Sequence, residues 1–230
     1  MELHDSVSLP IVGEAEVLHL ASVTSTQDVA RSLPIGSIVL ADHQTAGRGR
    51  LDRRWEAPEG TALLASFVLE PNPLLSLAAG VAAAEACDSR QVRLKWPNDL
   101  LLEERKLGGI LVEARHDRAV CGIGINLTWS PEGAAMLDQP RDDVFDRLRQ
   151  KIATWTLARP DQVLARWRDL SATLGRRVRV DVSGAITEGL AEDIGPRGEL
   201  IVDGVAFVAA SVTHLLAPRF GAAPPRSGRG

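Results

Sequence analysis

The sequence predicts an α/β protein in which a mixed, largely antiparallel sheet packs with helices, followed by a small C-terminal β-barrel domain. Two observations lead to this fold class. Before residue 174, short apolar runs typical of strands alternate with segments whose apolar residues recur three and four positions apart, as in helices. After Gly175 the chain has only short strand-like runs separated by glycine-containing turns, which is typical of a small barrel.

The elements of the first part follow from local signals in the sequence. The segment 25–33, STQDVARSL, predicts a short helix with Ser25 at its N-cap. The apolar runs 36–42 and 61–70 predict buried strands. The segment 72–86 is rich in Ala and Leu and has a proline near its start, so it predicts a packed helix.

Four apolar runs between residues 92 and 127 predict an antiparallel group of strands, because the polar stretches that separate them are natural hairpin turns. A loop is predicted at 128–140, and two helices at 142–158 and 160–174. We therefore predict three parts of the chain. They are a larger domain at 1–174, a small β domain at 175–217 and a disordered tail at 218–230.

The composition narrows the function class. Hydrophobic residues make up 45% and the formal net charge is -4, whereas a general nucleic-acid binder is usually basic over its whole domain. The N-terminus lacks the features of a signal peptide, and no segment reaches the roughly 20 apolar residues of a membrane helix. We expect a cytoplasmic protein with no membrane partner. Cys87 and Cys121 lie in apolar segments, where free thiols are usual.

The most informative segment is GRGRLDRRW, residues 47–55, with four arginines and two glycines. Glycine lets the backbone approach an anion closely, and arginine supplies a forked donor suited to phosphate. Trp55 offers a flat face for a purine ring. The alternative interpretation is a solvated surface loop that contacts RNA or nothing. The segment is not a Walker A loop, because no Gly-Lys-Ser/Thr follows it.

A second cluster is KWPND, residues 95–99, followed closely by KLGG, residues 106–109. Asn-Asp after a proline is also compatible with a simple turn. Paired glycines inside an apolar strand indicate close approach by a ligand or by another backbone. Lys106 beside them would place an ammonium over such a ligand. The histidines are scattered without metal-ligand spacing, and structural roles are expected for His19, His43 and His214.

Five motifs together resemble the biotin protein ligases. In chain order they are STQ (25–27), QTAGRGR (44–50), KWPND (95–99), RKLGGIL (105–111) and GIGIN (122–126). Their order and approximate spacing match the family over about residues 20–215. Asp52 departs from the family pattern, which usually has Gly there. Only about twenty residues precede the first motif, too few for the DNA-binding domain of bifunctional members, so we expect a monofunctional ligase without specific DNA binding.

The resemblance implies ATP-dependent activation of biotin to biotinyl-AMP, then transfer to a lysine of a biotin carboxyl carrier protein. The implied biotin-binding residues are Ser25, Thr26, Gln27, Gln44, Gly47, Arg48, Gly49, Arg50, Lys106 and Gly109. The implied residues for ATP or the adenylate are Arg48, Arg50, Arg53, Trp55, Asn98, Lys106 and Asn126. The implied catalytic residues are Arg50, Lys106 and Asp99. Asp99 would either bind Mg²⁺, the expected cofactor, or steer the acceptor lysine.

The resemblance also gives the small β domain an SH3-like fold, and it makes 43–54 and 128–140 segments that close over the adenylate. Two alternatives remain. A lipoate ligase shares the fold and chemistry, but its Arg-Arg-x-Ser-Gly-Gly-Gly pattern is absent from this sequence. An RG-rich nucleic-acid-binding protein would explain 47–54 and leave KWPND unexplained. The acceptor carboxylase stays open, as does the choice between monomer and homodimer.

Overall fold

The computed structural model describes residues 16–51, 53–115, 117–208 and 210–215. The helices are α1 Thr26–Ala30, α2 Leu75–Ala86, α3 Arg141–Thr156 and α4 Pro160–Leu170. The strands are β1 Val17–Val23, β2 Ile38–Gln44, β3 Gly47–Arg48, β4 Arg54–Trp55, β5 Ala62–Leu69, β6 Val92–Lys95, β7 Asp99–Leu102, β8 Arg105–Ala114, β9 Ala119–Asn126, β10 Arg177–Val182, β11 Ala185–Ile194, β12 Leu200–Val202, β13 Val205–Phe207 and β14 Ser211–His214.

The larger sheet has seven strands in the order β1-β2-β5-β9-β8-β7-β6. Its neighbouring strands are antiparallel except β1 and β2, which are parallel. The predicted mixed, largely antiparallel sheet is therefore confirmed, including the hairpins after residue 92. Strand β1 was missed by the sequence analysis. It lies at the sheet edge and is exposed along most of its length, so it lacks the apolar run of a buried strand.

Helix α2 is buried along almost its whole length, as its Ala-rich sequence predicts. It packs on the sheet and against α3 and α4. The helix predicted at 160–174 has an apolar stripe made of Val163, Leu164, Trp167, Leu170 and Leu174. The first three are buried in α4, and Leu170 and Leu174 are partly buried against the core, so the predicted core-facing stripe is confirmed. Glu85 of α2 accepts hydrogen bonds from Trp155 and Arg166 and forms an ion pair with Lys151, so one carboxylate ties the three helices together.

The second sheet has five antiparallel strands in the order β13-β12-β11-β10-β14. Its buried residues join the same core as those of the larger sheet. Within the described residues β13 does not pair with β14, so a closed, SH3-like barrel stays a prediction. The domain boundary at 174/175 also stays a prediction, and the expected tail, 218–230, lies outside the described residues.

One local prediction is wrong in part. The Arg/Gly-rich stretch 43–55 has no apolar periodicity and is predicted to be a surface loop, but within it β3 and β4 pair with each other and form a short hairpin. We call residues 47–51 and 53–55 the Arg/Gly hairpin; Asp52, which departs from the family pattern, lies outside the described residues. Ser25 stands at the N-cap of α1 as predicted, but its side chain forms no capping hydrogen bond.

The two cysteines are free and buried, as predicted. Burial raises the pKa of both thiols to about 12, with the charge of Arg147 acting in the opposite direction on Cys87. Since the thiolate is the reactive form, neither thiol is suited to nucleophilic chemistry near neutral pH. Among the described residues, no helix has both the length and the apolar character needed to cross a membrane.

Candidate functional site

A cavity of about 290 Å³ opens where the start of α1, the end of β2, the Arg/Gly hairpin, the β6–β7 turn and strands β8, β9 and β14 meet. Every predicted site residue except Gly47 lines it. Gly47 instead lets two backbones approach, because a Cβ there would collide with the carbonyl oxygen of Trp55 across the hairpin. The fold thus brings motifs from distant parts of the sequence to one place, although their individual roles stay predictions.

Four buried polar side-chain atoms in the described residues have no hydrogen-bond partner. They are Ser25 Oγ, Gln27 Oε1, Arg48 Nε and Trp55 Nε1. All four belong to residues that line this one cavity. An unsatisfied buried polar group costs about 1–3 kcal/mol, so such a cluster indicates a place where a ligand supplies the missing partners.

Two glutamine amides at the cavity are oriented by the protein. Gln44 Oε1 accepts hydrogen bonds from the backbone N–H of Thr26 at 2.7 Å and from its hydroxyl at 3.0 Å. The Thr26 hydroxyl in turn accepts from Ser66 at 2.8 Å. Gln27 Nε2 donates to the carbonyl oxygen of Leu111 at 3.1 Å. Gln44 therefore keeps its N–H donors for other partners, and Gln27 keeps an unpaired acceptor. This pairing suits a neutral ligand that carries both N–H and C=O groups.

Positive charge gathers in another part of the cavity. Lys106 Nζ lies 2.7 Å from Asp99 Oδ1. Arg50 donates to Asn98 Oδ1 at 3.0 Å and to the carbonyl oxygen of Ala210 at 3.5 Å. Burial lowers the pKa of Arg50, and the charge of Arg53 lowers it further while Asp99 opposes the shift. A partly buried excess of cations over carboxylates is suited to an anionic ligand such as a phosphate.

Lys95 is a cavity residue that sequence reasoning missed, although it belongs to the KWPND motif. It lies at the end of β6, directly across from Asp99 on β7. Burial lowers its pKa, with Lys106 and Arg53 adding to the shift and Asp99 opposing it. The sequence shows only that Lys95 lies beside apolar residues predicted to be buried. Its proximity to the cations Lys106 and Arg53 depends on how the strands pair, so it does not follow from the sequence.

The strand glycines have different functions in the structure. A Cβ at Gly108 would lie 2.6 Å from the carbonyl oxygen of Gly124, so this position permits close backbone packing. At Gly109 the nearest atoms, on Asp99 and Lys106, are 3.7 Å away, so this glycine leaves room in the cavity. Gly124 accommodates the indole of Trp55, whose ring a Cβ would meet at 2.7 Å. The sequence left two explanations for the paired glycines, close approach by a ligand or by another backbone. At Gly108 the structure shows close approach by another backbone.

The second sheet also contributes residues to the cavity, and this contribution was not predicted from the sequence. Ala210, Ser211 and Val212 line the cavity. The indole N–H of Trp96, in the KWPND motif, donates to the carbonyl oxygen of Gly198 at 3.0 Å, and its backbone N–H donates to the Thr173 hydroxyl at 3.0 Å. The C-terminal part of the chain thereby holds the β6–β7 turn that carries Asn98 and Asp99.

His214 has the structural role expected from the sequence, since its Nε2 lies 3.2 Å from the Thr173 hydroxyl. Burial, with the charges of Lys95 and Arg176, lowers its pKa to about 4, although Glu104 acts in the opposite direction. The unfolded chain binds a proton at this residue from about pH 6.5 downward, whereas the folded protein does so only near pH 4. The contribution of neutral, buried His214 to the free energy of unfolding is therefore lost as the pH falls from about 6.5 to 4.

We expect His214→Gln to weaken this pH dependence. The glutamine does not titrate and its side-chain oxygen accepts a hydrogen bond from Thr173, so the variant should lose less melting temperature than the wild type between pH 7 and pH 5. The check is a series of melting curves across that range. Equal losses for the two proteins would contradict the burial of a neutral His214.

Asn126, a further predicted site residue, has a structural contact. Asn126 is buried and its Nδ2 donates to the carbonyl oxygen of Ala135 at 2.9 Å. The same segment, 128–140, contributes Pro131 and Ala134 to the cavity wall. Within the described part of the chain, no three His, Cys, Asp or Glu side chains are grouped as a protein-only metal site requires. The cavity is lined by two carboxylates, those of Glu56 and Asp99, and the predicted metal-binding role of Asp99 stays a prediction.

Known proteins are similar to this chain in sequence and in fold. Residues 19–128 match the model of the biotin/lipoate A/B protein ligase family. The biotin--[acetyl-CoA-carboxylase] ligase of Mycobacterium tuberculosis is 35% identical over 212 residues, covering 78% of this chain and 79% of that protein. The chain belongs to the biotin protein ligase family. Its membership confirms the resemblance carried by the five motifs.

Further similarities support membership of the biotin protein ligase family. The bifunctional ligase/repressor BirA of Bacillus subtilis is 36% identical over 173 residues, and the chain spans about half of its length, 53%. The structure of the Aquifex aeolicus biotin protein ligase in complex with biotin and ATP has a TM-score of 0.77 and 25% identity. That match covers 87% of this chain and 99% of the Aquifex chain, so the predicted α/β fold class is confirmed.

Proposed function

We propose that this protein activates biotin with ATP to biotinyl-AMP and transfers the biotinyl group to a lysine of a biotin carboxyl carrier protein. The observation that carries the proposal is the cavity itself. One part has unpaired groups suited to a neutral ring with N–H and C=O groups, and another part is lined by partly buried cations. Biotin's ureido ring and the carboxylate-phosphate end of the adenylate match these two parts.

The residues around the neutral part would orient biotin. Ser25 Oγ and the Gln44 amide can donate to the ureido oxygen, while Gln27 Oε1 can accept from a ureido N–H. The Arg/Gly hairpin then lies against the bound ring, with Arg48 Nε as a further donor. Gly47 supports this arrangement indirectly, through the backbone contact within the hairpin.

In the first step, a biotin carboxylate oxygen attacks the α-phosphorus of ATP, a P–O bond forms, and the bond to the leaving pyrophosphate breaks. We propose that Lys106 contacts both the carboxylate and the α-phosphate, and that Arg50 and Arg53 stabilise the charge on the phosphates. Trp55, Asn98 and Asn126 would hold the nucleotide. Catalysis here rests on positioning and charge stabilisation rather than on a covalent enzyme intermediate.

In the second step, the acceptor lysine amine attacks the acyl carbon, AMP leaves, and the amine loses a proton. Asp99 has two candidate roles: binding Mg²⁺ together with the nucleotide phosphates, or steering the incoming amine. Mg²⁺ is commonly held by one or two carboxylates plus substrate phosphates, so a single aspartate is compatible with the first role. When bound, the ion would neutralise the charge of the departing pyrophosphate. The segment 128–140 would shield the adenylate from water.

The proposal predicts biotin-dependent exchange of labelled pyrophosphate into ATP by the purified protein. Exchange requires reversible adenylate formation, so it reports the first step without an acceptor protein. Lipoate serves as the matched control substrate, because the family model covers lipoate ligases as well. Exchange with biotin and none with lipoate is the expected result. Exchange that depends on lipoate, or none with either acid in Mg²⁺, would contradict the proposed function.

A further inference from the structure

Glu113 connects three parts of the molecule near the cavity without lining the cavity itself. It lies near the end of β8, and its side chain is 34% exposed. Both carboxylate oxygens accept from Arg31 Nη2 at 2.9 Å. One of them also accepts from Gln27 Nε2 at 3.3 Å and lies 3.5 Å from Arg48 Nη2. One carboxylate on β8 thus contacts Gln27 of α1, Arg31 at the C-cap of that helix and Arg48 of the Arg/Gly hairpin.

Arg48 is held from a second side by Asp28 of α1. Arg48 Nη2 donates to Asp28 Oδ1 at 2.8 Å, and Arg31 Nη1 donates to the same oxygen at 3.0 Å. The group therefore consists of two guanidinium and two carboxylate side chains, with balanced charge. It fixes the start of the Arg/Gly hairpin to α1 and β8, and it leaves the buried Nε of Arg48 at the cavity without a partner.

The contact with Gln27 determines what the cavity offers a ligand. Gln27 Nε2 has two acceptors, the Leu111 carbonyl and the Glu113 carboxylate. With the nitrogen held on that side, Oε1 is buried and free to accept from a ligand. Loss of the Glu113 charge would weaken this orientation and would also leave Arg31 and Arg48 with one carboxylate between them.

We infer that Glu113 is a positioning residue that couples the ligand-binding amide of Gln27 to closure of the Arg/Gly hairpin over the cavity. The inference rests on the proposed function in taking biotin as the ligand. A carboxylate shared in this way makes ligand binding and hairpin position depend on each other. Its removal should therefore affect biotin affinity and hairpin opening together, without a direct effect on the chemistry at the phosphate.

The test is Glu113→Gln, which keeps the size of the side chain and removes its charge. We expect the Kd for biotin, measured by titration calorimetry, to rise about fivefold, since partly exposed ion pairs contribute modestly. Trypsin should cleave the ligand-free variant at Arg48, Arg50, Arg53 or Arg54 about fivefold faster than the wild type. The maximal rate of pyrophosphate exchange at saturating biotin should change by less than twofold.

A matched control and a second variant complete the test. Glu188→Gln removes a single ion pair, with Arg179 in the second sheet, and should change none of these quantities. Asp28→Asn loosens Arg48 without touching the Gln27 contact, so it should speed cleavage and change the biotin Kd less than Glu113→Gln does. It also tests the hairpin contact if Glu113→Gln fails to fold.

Several outcomes would overturn the inference. If the biotin Kd and the cleavage rate of Glu113→Gln are both within twofold of the wild type, Glu113 does not couple biotin binding to the position of the Arg/Gly hairpin. A fall in the maximal exchange rate with unchanged biotin affinity would assign Glu113 to the chemistry instead. A wild-type protein that does not bind biotin would contradict the proposed function, while the cleavage rates of the free proteins would still decide the hairpin contact.

Discussion

Replacing Lys106 by Ala should lower biotin-dependent pyrophosphate exchange by at least about a hundredfold, the scale typical of losing one preorganised charge-stabilising donor. Lys106 lines the cavity beside Asp99 and extends from β8, where Gly109 leaves the space around its ammonium open. Its side chain is 44% exposed, so its removal leaves the core intact. The fold and the melting temperature should therefore change little.

Arg105→Ala is the matched control for this prediction. Arg105 is the neighbouring cation on β8, is exposed and does not line the cavity. It pairs with Glu103, and its Nη1 donates to the backbone carbonyl of Ala134 at 3.5 Å. Its removal should leave exchange within twofold of the wild type. Exchange by Lys106→Ala within threefold of the wild type would show that the catalytic charge lies elsewhere, and Lys95 would become the next lysine to test.

A single methyl group at Gly124 should lower exchange at least tenfold. The added Cβ would lie 2.7 Å from the indole of Trp55, a rigid ring on strand β4 of the Arg/Gly hairpin, so we expect the hairpin to shift. Gly124 lies in the middle of β9 without a positive φ, so the strand itself accepts alanine. The expected defect is therefore in hairpin closure, with a melting temperature within about 4 °C of the wild type, which corresponds to roughly 1 kcal/mol or somewhat more.

A double-mutant cycle tests this cause directly. Trp55→Ala should lower exchange by itself, but adding Gly124→Ala to it should have no further effect beyond twofold, because the clash is gone. Gly80→Ala, a substitution of the same kind inside α2, meets only ordinary contacts with Leu94 and Ile110 and should leave exchange unchanged. Fully additive losses in the cycle would contradict the proposed contact between Trp55 and Gly124.

The parts of the fold that sequence analysis predicts well are those with a strong local pattern. The buried run of β5 and the Ala-rich α2 are uniform enough to be read directly. Strand β1 is different, because it is an exposed edge strand whose pairing with β2 depends on a partner rather than on its own sequence. Closure of the small barrel is likewise a matter of tertiary pairing, and glycine-rich turns alone do not determine it.

The candidate site shows the same division. Motif residues such as Ser25, Arg50 and Lys106 were found because their types and spacing are distinctive. Glu113 and Ser66 could not be found in that way, since each acts through a hydrogen bond to a residue far along the chain. Asp99 illustrates a further limit: its carboxylate is paired with Lys106 in the structure, and no local pattern predicts that contact.

The most direct test of the proposed function is the complete reaction with an acceptor. The purified protein is incubated with biotin, ATP, Mg²⁺ and a biotin carboxyl carrier domain, and the acceptor is measured by intact mass spectrometry. We predict the addition of one biotinyl group to one lysine, dependent on both biotin and ATP and lost when that lysine is replaced by Arg. An acceptor that stays unmodified while the wild-type protein is folded and binds biotin would contradict the proposed transfer.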